Sequence, residues 1–300
     1  MSGSDKQRFG PTERGGSAIG IVSGGGSLPF AVADAVARQQ RRAVLFALRG
    51  CADAEKVVGY PHHWIGLGQI NRLCRLARHE RCSDLVFIGT VVRPTIRQLR
   101  LDVGALALIP RLVKMFRGGD GHLLSGVADL FEQRGFVVVG AHEVAPEILV
   151  PEGTIGSVRP RGGHQADIAL GRALLRAIGQ FDVGQATIVA NGHVLAVEAA
   201  QGTDEMLAQV AGLRRTGRIR SSGGVLVKAP KPGQDRRMDL PTIGPQTVTG
   251  AVRAGLEGIA VVAGEAIIAE PERVAQAADQ AGLFIVGTRQ DGDRIEDGAN

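Results

Sequence analysis

Aromatic side chains are scarce in this sequence: they make up 4% of it, with one Trp and one Tyr. A nucleic-acid reader more often clusters Lys and Arg among stacking aromatics, so that class is set aside. The excess of base is also small, 35 Lys and Arg against 30 Asp and Glu. Many arginines fall along predicted helices, as solvated faces do. Phosphate-bearing substrates or an anionic membrane surface suit so mildly basic a chain better. Cys51, Cys74 and Cys82 have neither disulfide-framework nor zinc spacing, and a reducing cytoplasm is the default expectation. No run of about 18 uncharged apolar residues occurs, so no membrane-spanning helix is expected. Residues 1–16 lack the apolar core of a signal peptide and read as a disordered leader. Also missing are Gly-x-Ser-x-Gly, a usable Cys–His pairing, Gly-x-Gly-x-x-Gly and the Gly-Lys-Ser/Thr of a P-loop. Those absences weaken nucleophilic hydrolases, zinc enzymes and dinucleotide-dependent oxidoreductases.

Glycine, in contrast, is abundant, at 43 residues. Glycines at element ends, with much Ala and Val, argue for an α/β architecture. Ala18–Val22 reads as a short buried strand. Ser23-Gly-Gly-Gly-Ser-Leu-Pro29 follows, then a helix over 30–38 with Pro29 in its first turn. Strand, Gly-rich turn and helix point backbone N–H groups at an anion; a plain tight turn would need only one or two glycines. Further strands are expected at 43–48, 62–66, 84–91 and 136–140, with helices at 69–79 and after Asp120, a suitable N-cap. Gly24–Ser27, Gly89–Val91 and His142–Glu143 should then gather at the carboxyl ends of neighbouring strands, where open α/β sheets bind ligands. Residues 95–117 form an amphipathic basic region that either covers the core or meets an anionic surface, with core packing favoured.

Residues 146–161, rich in Pro and Gly, read as a linker. The expected organisation is a leader (1–16), a Rossmann-like α/β domain with a mainly parallel sheet (17–145), that linker, a C-terminal α/β domain with a mixed sheet (162–288) and a loose tail (289–300). In the second domain a helix over 165–178 precedes a hairpin at Asn191-Gly192. Thr203 or Asp204 can cap the next helix. A strand at 224–229, a helix at 245–256, a Gly-centred hairpin over 258–269, a helix at 271–281 and a strand at 283–287 complete it.

The stretch from Lys228 to Gly244 holds three prolines and four basic residues, so it is neither a helix nor a central strand. Asp239 lies within it between Met238 and Leu240. A carboxylate held among apolar neighbours on a stiff backbone has a weak claim to being mere surface charge. Glu143, Glu198, Asp204 and Asp239 stand in turns beside strand ends, with Lys228, Lys231 and Arg93 as cations. Carboxylates, cations and a Gly-rich anion loop together suit phosphoryl or nucleotidyl chemistry. Asp204 is equally an N-cap or a ligand at this level.

Ser23-Gly-Gly-Gly-Ser-Leu-Pro29, Gly140-Ala-His-Glu-Val144, Val197-Glu-Ala-Ala-Gln-Gly-Thr-Asp204 and Lys228-Ala-Pro-Lys-Pro232 with Asp239-Leu-Pro-Thr-Ile-Gly244 resemble the LpxI-type UDP-2,3-diacylglucosamine pyrophosphatases. The resemblance runs in order from about Ile19 to Gly287. It implies a two-domain enzyme of lipid A biosynthesis that hydrolyses UDP-2,3-diacylglucosamine to lipid X and UMP, with Mg²⁺ or another divalent cation and water attacking the sugar-side phosphorus. It also implies a homodimer; a soluble cytoplasmic enzyme that takes a membrane-resident substrate is in turn expected to make peripheral contact with the inner face of the inner membrane. The family's catalytic aspartate corresponds to Asp239; Asp239 and Asp204 are the carboxylates expected to bind the metal. Substrate binding is expected from Gly24, Gly25, Gly26, Ser27, Leu28, Gly89, Thr90, Val91, Arg93, His142, Glu143, Glu198, Gly202, Thr203, Lys228 and Thr242, in a cleft between the domains. Gly89-Thr-Val91 departs from the Gly-Asn-Val expected of the family, which leaves Thr90 without the amide. A non-catalytic nucleotide-sugar or lipid-binding regulator is the alternative.

Overall fold

A computed structural model describes residues 18–91 and 120–289, the side chains of 120–123 excepted. Arg93, the leader, the basic region at 95–117, the Asp120 side chain and the last eleven residues of the tail (290–300) lie outside the described residues. Two compact units result: the N-terminal one ends at Ala145 and the C-terminal one resumes at Pro146, with residues 120–125 grouping with the C-terminal unit.

The N-terminal unit is a parallel sheet ordered β3-β2-β1-β4-β5. Its strands are β1 (Ala18–Ser23), β2 (Ala43–Leu48), β3 (His62–Ile65), β4 (Cys82–Ile88) and β5 (Val137–Val138), connected through α1 (Leu28–Arg38), α2 (Ala54–Val57), α3 (Ile70–His79) and α4 (Asp120–Glu132). Every residue of β1 is buried, as a central strand covered on both faces requires. That explains its unbroken apolar run. Only Val137 and Val138 of the expected 136–140 strand lie in register with β4; Val139 N–H adds a last bond to Leu85 O at 3.0 Å, and the strand ends there. The short helix α5 (Ala141–Val144) follows at once.

The C-terminal unit carries a mixed sheet ordered β6-β13-β11-β9-β7-β8. The strands β9 (Val225–Lys228), β11 (Gly258–Val262) and β13 (Phe284–Thr288) run parallel. β6 (Gly153–Ile155) and the hairpin β7 (Ala186–Ala190)–β8 (His193–Val197) are antiparallel additions. Side chains alternate between two buried faces. Leu226, Ile259, Val261 and Ile285 meet Met206, Leu207 and Val210 of α7 (Gly202–Arg215), Val248 of α8 (Pro245–Arg253) and Val274 of α9 (Pro271–Ala281). Val225, Val227, Ala260 and Phe284 face Ile168 and Leu175 of α6 (Gly162–Ile178).

Three local expectations are corrected. Residues 146–161 are not merely a connection: β6 pairs with β13, and Val150 N–H donates to Ala266 O at 2.8 Å. A Pro-bearing segment is tolerated there because it forms the sheet's edge. Residues 258–269 do not fold back as a hairpin. β11 lies between β9 and β13, so it has no free edge; β12 (Ile267–Ile268) pairs instead with β10 (Thr242–Ile243). Neither Thr203 nor Asp204 caps α7; Gln201 stands at that position, and Thr203 uses its hydroxyl elsewhere.

Candidate active site

In the N-terminal unit the carboxyl ends of β1 and β4 are tied backbone to backbone. Gly25 N–H donates to Thr90 O at 2.8 Å and Thr90 N–H to Gly25 O at 3.0 Å. A Cβ on Gly24 would lie 2.6 Å from Thr90 O, and one on Gly89, at φ +100°, 2.7 Å from Gly25 O. These glycines are therefore required by the close approach of two turns. Gly26 differs: it is exposed at φ +89° with open space around it, and it leads into Ser27, Leu28 and the N-terminus of α1. Of the predicted anion loop, Gly26–Leu28 is the part left facing outward. On the next strand end, His142 and Glu143 begin α5, where Glu143 Oε1 accepts from Gly140 N–H at 2.8 Å. That carboxylate stabilises its own helix start.

The C-terminal unit holds the predicted cations and carboxylates in one cluster. Lys228 ends β9 and Glu198 follows β8; the β8–β7–β9 pairing brings both to the same end of the sheet, Ala186 standing opposite Lys228 while its carbonyl accepts from Glu198 N–H at 2.8 Å. Glu198 and Lys228 are both buried, 8% and 5% exposed. Lys228 Nζ donates to Thr203 Oγ1 at 3.1 Å and to Thr242 O at 2.9 Å. The Thr203 hydroxyl donates to Glu198 Oε1 at 2.8 Å, and Glu198 Oε2 accepts from Gln185 N–H at 3.0 Å. The chain of bonds thus runs Lys228, Thr203, Glu198, Gln185. Both Glu198 oxygens are engaged, while Lys228, with three N–H donors, gives two of them to these partners.

Burial pushes the Lys228 ammonium below the ordinary lysine range, against Glu198, Asp204 and Asp239, which favour its charge. Asp239 is pushed the other way. Burial raises its carboxyl above the ordinary range and Glu198 adds to that, while Lys231, Lys228 and the amide of Gln234 pull it down. Lys231 forms an ion pair with Asp182. A carboxylate with a raised proton affinity beside two cations is suited to orient water or take its proton, with the cations offsetting charge on phosphate oxygens.

Of the predicted residues, the structure gathers Glu198, Thr203, Lys228 and Thr242 by direct bonds, with Asp239 and Asp204 within electrostatic reach of Lys228. Gly202 opens the helix that supplies Thr203, at φ +80°. Sequence reasoning missed Gln234, Gln185 and Asp182. Neutral amides in loops carry no periodic signal, and Asp182 was hidden just beyond a helix end. Glu143 could have been read as a cap, since Glu three residues after a helix start is a known pattern.

A family model described as the LpxI N-terminal domain matches residues 18–148, and another, the LpxI C-terminal domain, matches 151–286. The chain belongs to the LpxI family. The UDP-2,3-diacylglucosamine pyrophosphatase LpxI of Caulobacter vibrioides is 42% identical to it over 271 residues, covering 90% of this chain and 96% of that protein. The boundary between the two LpxI models falls at residues 149–150, just inside the C-terminal unit.

Among the described residues no three His, Cys, Asp or Glu side chains come together to hold a metal by themselves. Magnesium seldom needs such a cage: it is held through one or two carboxylates, water and substrate phosphates. In this LpxI chain the Asp239 carboxylate has one oxygen bonded to Gln234 and none of the described residues bonded to the other. That donor set fits a cation shared with a phosphate.

Proposed function

We propose that this chain hydrolyses the pyrophosphate of UDP-2,3-diacylglucosamine, yielding lipid X (2,3-diacylglucosamine 1-phosphate) and UMP, in lipid A biosynthesis. The observation that carries this reading is the half-buried Asp239 beside Lys228 and Lys231, on a chain whose LpxI relative bears that activity in its name. Asp239 holds a water and accepts its proton as the oxygen bonds to the sugar-side phosphorus. The bond from that phosphorus to the bridging oxygen breaks, and UMP leaves with that oxygen. Lys228, fixed by Thr203 and Thr242, offsets the charge that builds on the phosphate oxygens. Asp239, and Asp204 as a second carboxylate, would hold Mg²⁺, which when bound neutralises phosphate charge.

Gly26–Leu28 is assigned to the UDP-glucosamine headgroup. Apolar protein surface must shelter the acyl chains, because each exposed CH₂ costs about 0.8 kcal/mol. A substrate carrying two acyl chains resides in a membrane and would be taken up at the inner face of the inner membrane by peripheral contact; no described helix is long and apolar enough to cross one. A homodimer is part of the same proposal. Incubation with UDP-2,3-diacylglucosamine and Mg²⁺ in ¹⁸O-water tests the reading. UMP should be released and the label should enter the lipid 1-phosphate; label in UMP would contradict the site of attack.

A further inference from the structure

Gln234, whose amide meets the Asp239 carboxylate, has unusually determinate bonds. Its Oε1 accepts from Lys231 N–H at 2.9 Å, which fixes the amide's carbonyl side. Its Nε2 must then face the other way, where it donates to Asp239 Oδ2 and, at 3.4 Å, to Gln185 Oε1. A flipped amide would set NH₂ against a backbone N–H and oxygen against a carboxylate, losing both contacts. The neighbouring backbone reinforces this arrangement: Gln234 N–H donates to Lys231 O at 3.2 Å, and Asp239 N–H to Asp235 O at 3.2 Å. Gln185, in turn, gives its own N–H to Glu198 at 3.0 Å. The amide therefore connects the Asp239 side of the cluster to the Lys228–Thr203–Glu198 side.

We infer that Gln234 is a positioning residue for the proposed hydrolysis: it occupies Oδ2 of Asp239, fixes the plane of that carboxylate, and leaves Oδ1 as the oxygen that meets water or cation. The inference rests on the activity proposed above. It requires no contact between Gln234 and substrate, so its loss acts on turnover more than on binding.

The test compares Gln234→Ala and Gln234→Glu with the wild type and Asp239→Ala, following UMP release from UDP-2,3-diacylglucosamine. Gln234→Glu is decisive because it keeps the shape and the acceptor for Lys231 N–H but brings a carboxylate, not a donor, to Asp239. Both Gln234 variants should lose about 10- to 100-fold in kcat, the effect of one hydrogen bond to a charged group, with KM changed little. A purely structural glutamine would instead be rescued by the isosteric acid. Wild-type kcat in Gln234→Glu, or a change confined to KM, overturns the inference; should Gln234→Ala fail to fold, Gln234→Glu alone decides. No UMP from the wild type would overturn the proposed activity and this inference with it, whereas an active wild type indifferent to Gln234 overturns this inference alone.

Discussion

Replacing Thr203 with valine removes one oxygen and almost no volume, at the point where two buried charges meet. The hydroxyl has a single proton, and an ammonium cannot accept it, so Thr203 must donate to Glu198 and accept from Lys228. Valine breaks both bonds. Each hydrogen bond to a charged group contributes about 1.5–3 kcal/mol. Glu198 keeps Gln185 N–H and Lys228 keeps Thr242 O, so the loss should lie at the low end of the pair's sum, about 3 kcal/mol. For a unit of this size each kcal/mol moves Tm by roughly 2–4 °C, which gives a fall of about 6–12 °C. Thr203→Ser keeps the hydroxyl and should stay close to the wild type. Calorimetry is the suitable assay, because the one tryptophan, Trp64, lies in β3 of the N-terminal unit and reports on that unit. If Thr203→Val melts within about 2 °C of the wild type, or serine is as harmful as valine, the hydroxyl does not carry the energy assigned to it.

Four other substitutions probe the same geometry. Gly89→Ala forces a Cβ into Gly25 O at a positive φ, and should destabilise the N-terminal unit by about 1–3 kcal/mol, read by Trp64 fluorescence in urea; Gly26→Ala, with open space, should pay only for its backbone angle. Asp239→Asn should raise the Tm of the C-terminal unit at about pH 8 while abolishing turnover. Burial holds this carboxyl above its unfolded value, so its ionisation costs stability above the folded value and costs nothing below the unfolded value of about 3.9. The gain should accordingly fade as the pH drops through that window, and a gain that grows with acid would contradict it. Lys228→Met leaves Thr242 O and Thr203 without their donor and should lower kcat by at least about 100-fold, as loss of a preorganised charge at a transition state does; retained UMP release would remove Lys228 from the mechanism.

The alternation of apolar strands and helical periods made both α/β units legible, down to the Asn191-Gly192 turn. What periodicity could not provide was partner choice. Ile267–Ile268 has the composition of a hairpin strand, but β11 is occupied on both edges, so the segment pairs with Thr242–Ile243. Residues 146–161 looked like a linker because Pro and Gly mask a three-residue edge strand. At the site, Asp239 and Lys228 were visible as charges in improbable surroundings. Glu198 was visible as a carboxylate beside a strand end and Thr203 as a cap candidate, but not their bonding, which depends on the β7–β8–β9 pairing that brings Glu198 and Lys228 to one end of the sheet. Gln234 gave no signal, since its role lies in two hydrogen bonds that a loop conformation creates.

If Asp239 turns over a lipid-linked pyrophosphate, UMP release from UDP-2,3-diacylglucosamine and Mg²⁺ will separate the wild type from Asp239→Ala, with substrate binding measured on both. The wild type should release UMP, and Asp239→Ala should bind the substrate without releasing it. Retention of substrate without UMP from the wild type would point to a binding protein, and undiminished turnover in Asp239→Ala would take the reaction away from this residue.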